Sequence, residues 1–188
     1  MPISVSNIDR EFAPSEAAEI TEVSVALQRD WRRRGLLPEN KAGRWTRFSL
    51  SHIIEMAVMK DFAEAGFSVS YIAKFASIAV LPTLSRLYML PGAIAFEGDE
   101  PSDTIKELSM RRSVSGECGR YLVMIQPPER DSPLISRFES LDRLDEFMAE
   151  QGVIKCSILD CSLLAERIAE RAGFPLVRVE IEDTDKEN

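Results

Sequence analysis

The chain has 188 residues, 45% of them hydrophobic and 29% charged, and a formal net charge of −8. That length and apolar content suffice for one medium core or two small ones, and two are expected. No apolar run reaches the roughly 20 residues of a membrane span, and residues 1–10 lack the basic-then-apolar order of a secretion signal, so a cytoplasmic protein is expected.

Pro14 to Ile20 reads as a first helix, with Pro14 suited to its opening turn and Glu16 and Glu19 near the positive end of its dipole. Thr21 and Glu22 make a tight connection. Ser24 is a good N-cap for a second helix that runs to Arg34 and is stopped by Gly35. Two short helices joined this closely form a helix-turn-helix unit. Between Arg29 and Arg47, seven basic residues (Arg29, Arg32, Arg33, Arg34, Lys41, Arg44, Arg47) face only Asp30 and Glu39. The segment sums to +5 and leaves −13 for the rest of the chain. Positive charge is thus concentrated where a polyanion could use it.

At about 100° per residue, Val25, Ala26, Arg32 and Arg33 fall within about 60° of Arg29, while Leu27 and Trp31 lie about 160° away. A helix packed through Leu27 and Trp31 would turn Arg29, Arg32 and Arg33 outward and offer Val25 to a thymine methyl. Arg34 falls on the packed side, where it would snorkel or touch backbone phosphate at most. After the Leu36-Leu37-Pro38 stop, Asn40 to Gly43 supplies turn chemistry and the residues to Phe48 are strand-prone, which predicts a hairpin wing. Alternation sends Trp45 and Arg47 to one side and Arg44, Thr46 and Phe48 to the other, with Phe48 as anchor.

Ser49 caps a third helix over about Leu50 to Ala65, ended by Gly66. A fourth is expected from about Val69 to Val80, interrupted by Pro82. Glu97 to Gly119 reads as connection. Strands then follow at Tyr121 to Ile125, Leu134 to Phe138, Val153 to Leu159 and Leu176 to Ile181, with helices at Leu141 to Glu150 and Ser162 to Ala172. This alternation predicts a small mixed-sheet domain. The expected class is α+β: a winged helix-turn-helix four-helix domain at 1–90, a connection at 91–119, a small α/β dimerisation or effector domain at 120–182, and a solvated acidic tail at 183–188.

Val23-Ser24-Val25, Arg29, Trp31, Gly35-Leu36-Leu37-Pro38, the Arg44 to Phe48 wing and Ala65-Gly66-Phe67-Ser68, in this order and spacing, resemble the MerR-type winged helix-turn-helix domain over about Ala13 to Ala79. The resemblance implies a transcription regulator whose second helix enters the major groove while the wing touches flanking backbone, usually as a dimer on a two-fold site. Arg29 corresponds to the family's recognition-helix arginine, Trp31 to the aromatic two residues later, and Phe48 to the aromatic that closes the wing. The chain departs from the pattern at Gln28, where an aliphatic residue is usual, at Asp30, which replaces a tyrosine, and at Thr46, which fills an arginine slot. Pro82 and Pro91 also forbid the long dimerisation helix that usually comes next.

Other chemistry has bland explanations. Cys118, Cys156 and Cys161 are odd in number and lack zinc-ribbon spacing, so reduced, buried thiols are favoured over a metal or redox sensor. His52 is the only histidine and has no nucleophile motif near it, Asp142 and Glu146 read as solubilising charge, and no Gly-rich phosphate loop occurs. No catalytic activity, cofactor or metal is expected. The reading is a sequence-specific regulator of double-stranded DNA, cytoplasmic and nucleoid-associated. Ser24, Val25, Gln28, Arg29, Arg32 and Arg33 would lie at the groove, and Lys41, Arg44, Trp45 and Arg47 on the wing. A homodimer through the C-terminal domain and contact with RNA polymerase are the expected protein partners, with no membrane. The alternatives are an adaptor or antitoxin-like partner with a repurposed helix-turn-helix, or a DNA-bending accessory factor of a mobile element.

Overall fold

The computed structural model describes residues 3–8, 10–38, 46–98, 118–129 and 132–183. The elements are β1 (Ile3–Ile8), α1 (Pro14–Thr21), α2 (Val25–Arg33), α3 (Leu50–Glu64), α4 (Val69–Ile72), a 3-10 turn (Ala76–Ala79) and α5 (Val80–Leu87). They continue with β2 (Ile94–Gly98), β3 (Tyr121–Ile125), β4 (Leu134–Phe138), α6 (Leu144–Glu150), β5 (Cys156–Asp160), α7 (Cys161–Ala172) and β6 (Val177–Asp183). The class is α+β, with helices first and strands mixed with helices after.

The strands form two three-stranded sheets where one was expected. In the first, ordered β1-β6-β2, β6 pairs antiparallel with β1 (Val5 opposite Ile181) and parallel with β2 (Phe96 opposite Val179). The second is wholly antiparallel and ordered β4-β3-β5, with Val123 opposite both Ser136 and Ile158. Gly119 leads into β3 with φ +65, and a Cβ there would stand 3.2 Å from the Phe138 nitrogen, so only glycine suits the position.

The expected single fourth helix is broken. α4 lasts one turn, the 3-10 turn follows, and Pro82 lies buried in the opening turn of α5 rather than after a helix end. Proline is tolerated there because the first-turn N–H groups have no acceptor within the helix. A continuous apolar period over Val69 to Val80 could not reveal the change of helical pitch.

Most buried residues from Phe12 to Val179 form one cluster that spans both halves, and Val123 and Ile125 are buried outside it on the far face of the antiparallel sheet. Leu122 and Met124 turn one face of the antiparallel sheet toward Val58, Phe62, Ile72 and Ala79. Alternation sends Val123 and Ile125, both buried, to the other face, where Phe147 of α6 meets Phe138 edge-on at 5.2 Å. α7 packs on α1 and α5, so the C-terminal half supports the first helices from behind. Each Leu, Ile or Phe buried in this way contributes about 1.5–3 kcal/mol of transfer free energy. Among the described residues no helix is long and apolar enough to cross a membrane.

Candidate nucleic-acid interface

The entry to α1 is fixed by a carboxylate. Glu16 Oε2 accepts from the Ala13 nitrogen at 2.7 Å and Oε1 from Arg10 at 3.1 Å. The Ala13 hydrogen bond, with help from Arg10, holds the Glu16 carboxyl below its usual range even though burial opposes this. At the other end, Thr21 Oγ1 donates to the Ala17 carbonyl at 2.6 Å and accepts from the Val23 nitrogen at 3.2 Å. Glu22 is left-handed with φ 59, and its nitrogen donates to the Ala18 carbonyl at 2.9 Å. Its carboxylate reaches back to Lys60 at 3.1 Å and Arg171 at 2.9 Å. Together with the Arg167–Asp61 pair, these contacts tie the turn between the first helices to α3 and α7.

Ser24 caps α2 by accepting from the Leu27 nitrogen at 3.2 Å. Trp31 is buried as expected, but the buried stripe is rotated. Leu27, expected to pack, is 39% exposed, and Gln28, expected at the groove, is buried. Gln28 Nε2 donates to the Pro14 and Val23 carbonyls, both at 2.9 Å, and so stitches α2 to the start of α1 and to the turn. Its amide nitrogen is spent on holding the two helices together and its Oε1 is buried without a partner, which removes the side chain from the set that can reach a base.

On the opposite side Ala26, Arg29 and Arg33 are exposed and Val25 is half-buried. Arg33 Nη2 donates to Asp30 Oδ1 at 2.5 Å. Arg32 is half-buried, and its Nη1 donates to Thr46 Oγ1 at 2.6 Å, so it braces the chain entering Phe48 instead of standing free in front of the helix. Arg34 is exposed, as a snorkelling side chain would be, and its Nη2 donates to Ser70 Oγ on α4 at 2.7 Å. The sequence carried no signal for the Thr46 and Ser70 partners, which lie 14 and 36 residues away from their arginines.

Of the predicted wing residues, Lys41, Arg44 and Trp45 lie outside the described residues. Arg47 is exposed and Phe48 is buried, in keeping with strand alternation. Phe48 and Phe12 exchange backbone hydrogen bonds at 2.8 and 2.9 Å, which anchors the end of this segment beside α1. Ser49 then caps α3, and the His52 ring, held by the Ser49 nitrogen at 3.1 Å, is occupied with that cap. Among the described residues no group of three or more His, Cys, Asp or Glu is placed to hold a metal ion.

The arrangement is a short cationic helix face, pinned from behind by an indole and a carboxamide and flanked by a further exposed arginine. Residues 12–77 match the family described as MerR HTH family regulatory protein, over roughly a third of the chain. No curated protein matches the chain. This region is a MerR-type helix-turn-helix domain, of the kind found in DNA-binding transcription regulators.

Proposed function

We propose that the MerR-type domain makes this protein a sequence-specific transcription regulator of double-stranded DNA that acts as a homodimer. One observation carries the reading: Arg29 and Arg33 project from the side of α2 that Trp31 and Gln28 hold from behind. Guanidinium groups so placed can donate bidentately to guanine O6 and N7, and Val25 and Ala26 leave room for close approach to a thymine methyl. Ser24 and Arg32 take positioning roles at the start of α2 and at the base of the wing. Lys41, Arg44, Trp45 and Arg47 contact backbone phosphate beside the groove. Gln28 takes no part in base contact.

The division proposed is a DNA-binding domain at 1–90, a connection at 91–119 and a C-terminal domain at 120–182 that carries the dimer contact, with an acidic tail at 183–188; β1 and β2 cross these bounds by pairing with β6. Large apolar side chains left in solvent support an interface where α7 of that domain packs on α5 of the N-terminal part. Leu81 on α5 and Leu163 on α7, two helices packed together, are 46% and 58% exposed. The protein would act in the cytoplasm, with RNA polymerase as a further partner and no catalytic role.

Selection of bound duplexes from a random pool tests the reading. A palindromic consensus with half-sites about one helical turn apart is the expected result. A pool that stays random after repeated rounds overturns it.

A further inference from the structure

We propose that the cleft between α4 and the β5 side of the antiparallel sheet binds a planar apolar small molecule carrying one anionic group, a property independent of DNA recognition. The cleft has a volume of about 550 Å³, within the roughly 300–1,000 Å³ typical of small-molecule sites. Phe67, Tyr71, Met124 and Met148 are among the side chains that line it. Aromatic faces favour a flat apolar body, and the two methionines can adjust to its outline.

The polar groups are few. Tyr71 donates its hydroxyl to Gln126 Oε1 at 3.2 Å, and its ring packs edge-on against Phe75 at 5.4 Å. Lys155 is the single charged side chain among the described residues that line the cleft. It is exposed, and no carboxylate among the described residues pairs with it. An ammonium at the mouth of an apolar cleft selects an anion by charge. Beside it, Ile154 is 91% exposed, an apolar side chain held in water at the rim where an occupant would cover it.

The other cavities compete poorly. The seam between α3 and the sheet is apolar but has only about 30 Å³, room for little more than a water. A cavity of about 420 Å³ beside β6 is lined by Arg10 and Arg178, and Arg10 is already stacked 4.0 Å over Phe174 and paired with Glu16.

The test uses the full chain and two fluorescent probes of similar shape, anionic 1-anilinonaphthalene-8-sulfonate and neutral N-phenyl-1-naphthylamine. Each should bind saturably at one site per chain. Lys155→Gln, a surface change that leaves folding intact, should weaken the sulfonate roughly tenfold, the size of one charge-assisted contact, while leaving the neutral probe unchanged. Ser157→Trp, which fills the cleft, should remove both signals without lowering the thermal midpoint. Unsaturable fluorescence, or a sulfonate affinity indifferent to Lys155→Gln, overturns the proposal.

Discussion

Asp30 holds Arg33 on the solvent side of α2, Oδ1 to Nη2, at 2.5 Å, and its second oxygen lies 3.5 Å from Arg34. An acid three residues before an arginine on a helix is a local, exposed pair that contributes little stability. Its larger effect is on the field in front of the helix, where it cancels one of the positive charges that a phosphate backbone would meet. Asp30→Asn should therefore tighten binding to any duplex about two- to tenfold at low salt and steepen the salt dependence. Fluorescence anisotropy on cognate and scrambled DNA, each at several salt concentrations, measures both. Weaker binding confined to the cognate site would show instead that Asp30 aims Arg33 at a base.

Arg29 and Arg47 are both exposed, yet they stand on different elements and should fail in different ways. Arg29→Ala removes a base-edge donor and should cost about 1–3 kcal/mol on the cognate site with relaxed preference at one position. Arg47→Ala should weaken every duplex alike and lower the salt slope by about one, since it removes a phosphate contact. Gel shifts of both variants against single-base variants of the site separate them. Equal losses on all sequences for Arg29→Ala would end its reading role. A slope indifferent to salt in the parent protein would favour a protein-binding helix-turn-helix over a DNA-binding one.

Gln28 makes two hydrogen bonds to backbone carbonyls, a buried one on Val23 and a half-buried one on Pro14. Gln28→Ala should destabilise the fold by about 1–3 kcal/mol, the cost of leaving such acceptors unpaired. Base preference at the surviving folded fraction should stay the same. Urea unfolding combined with site selection on the variant checks both. An altered consensus without loss of stability would return Gln28 to the groove.

The rotation that buries Gln28 in place of Leu27 shows where sequence reading stops. Angular spacing placed Trp31 inside because a large apolar side chain on a polar helix leaves little choice. It could not rank Gln28 against Leu27, since the preference comes from the Pro14 and Val23 carbonyls on neighbouring segments. The helix boundaries around Ser24 and Ser49 were legible from local caps, and β3 to β6 from apolar runs set between turns. β1 and β2 were not foreseen. Their partner is β6, and for β1 it lies at the far end of the chain, a pairing that no local pattern encodes. The same non-local contacts join what composition suggested were two cores into one.

Asp160 closes β5 and caps α7, accepting from the Ser162 and Leu163 nitrogens at 2.9 and 3.2 Å and from Arg120 at 2.8 Å. Burial by itself would raise its carboxyl, but the Arg120 and backbone hydrogen bonds outweigh it and the net displacement is downward. A carboxylate depressed in the folded state gives stability that is complete above its unfolded value of about 3.9 and is lost as pH falls through the folded value. The parent protein should therefore lose stability toward acid more steeply than Asp160→Asn. At neutral pH, Asp160→Asn keeps a cap and loses the ion pair, a cost of about 1 kcal/mol or less because Arg120 is 41% exposed. Asp160→Ala should cost about 1 kcal/mol more, for the lost cap. Denaturant melts from pH 3 to 7 on the three proteins test the order; identical acid profiles would show that the carboxylate charge is not what stabilises this junction.

The three thiols should differ sharply in reactivity. Cys118 and Cys161 are buried and Cys156 is half-buried on the wall of the proposed cleft. Burial pushes the Cys161 thiol up to about 11, so about one molecule in a thousand would carry the reactive thiolate at pH 8. Ellman's reagent should modify Cys156 rapidly in the native protein and reach Cys118 and Cys161 only on unfolding. Cys156→Ser should abolish the fast phase. A fast phase that survives this change would mean that another thiol opens to solvent. Because Cys156 lines the cleft, anilinonaphthalene sulfonate at a concentration near its parent dissociation constant should slow its reaction in the parent protein and have little effect in Lys155→Gln at the same probe concentration. That contrast tests occupancy of the cleft by a readout separate from fluorescence.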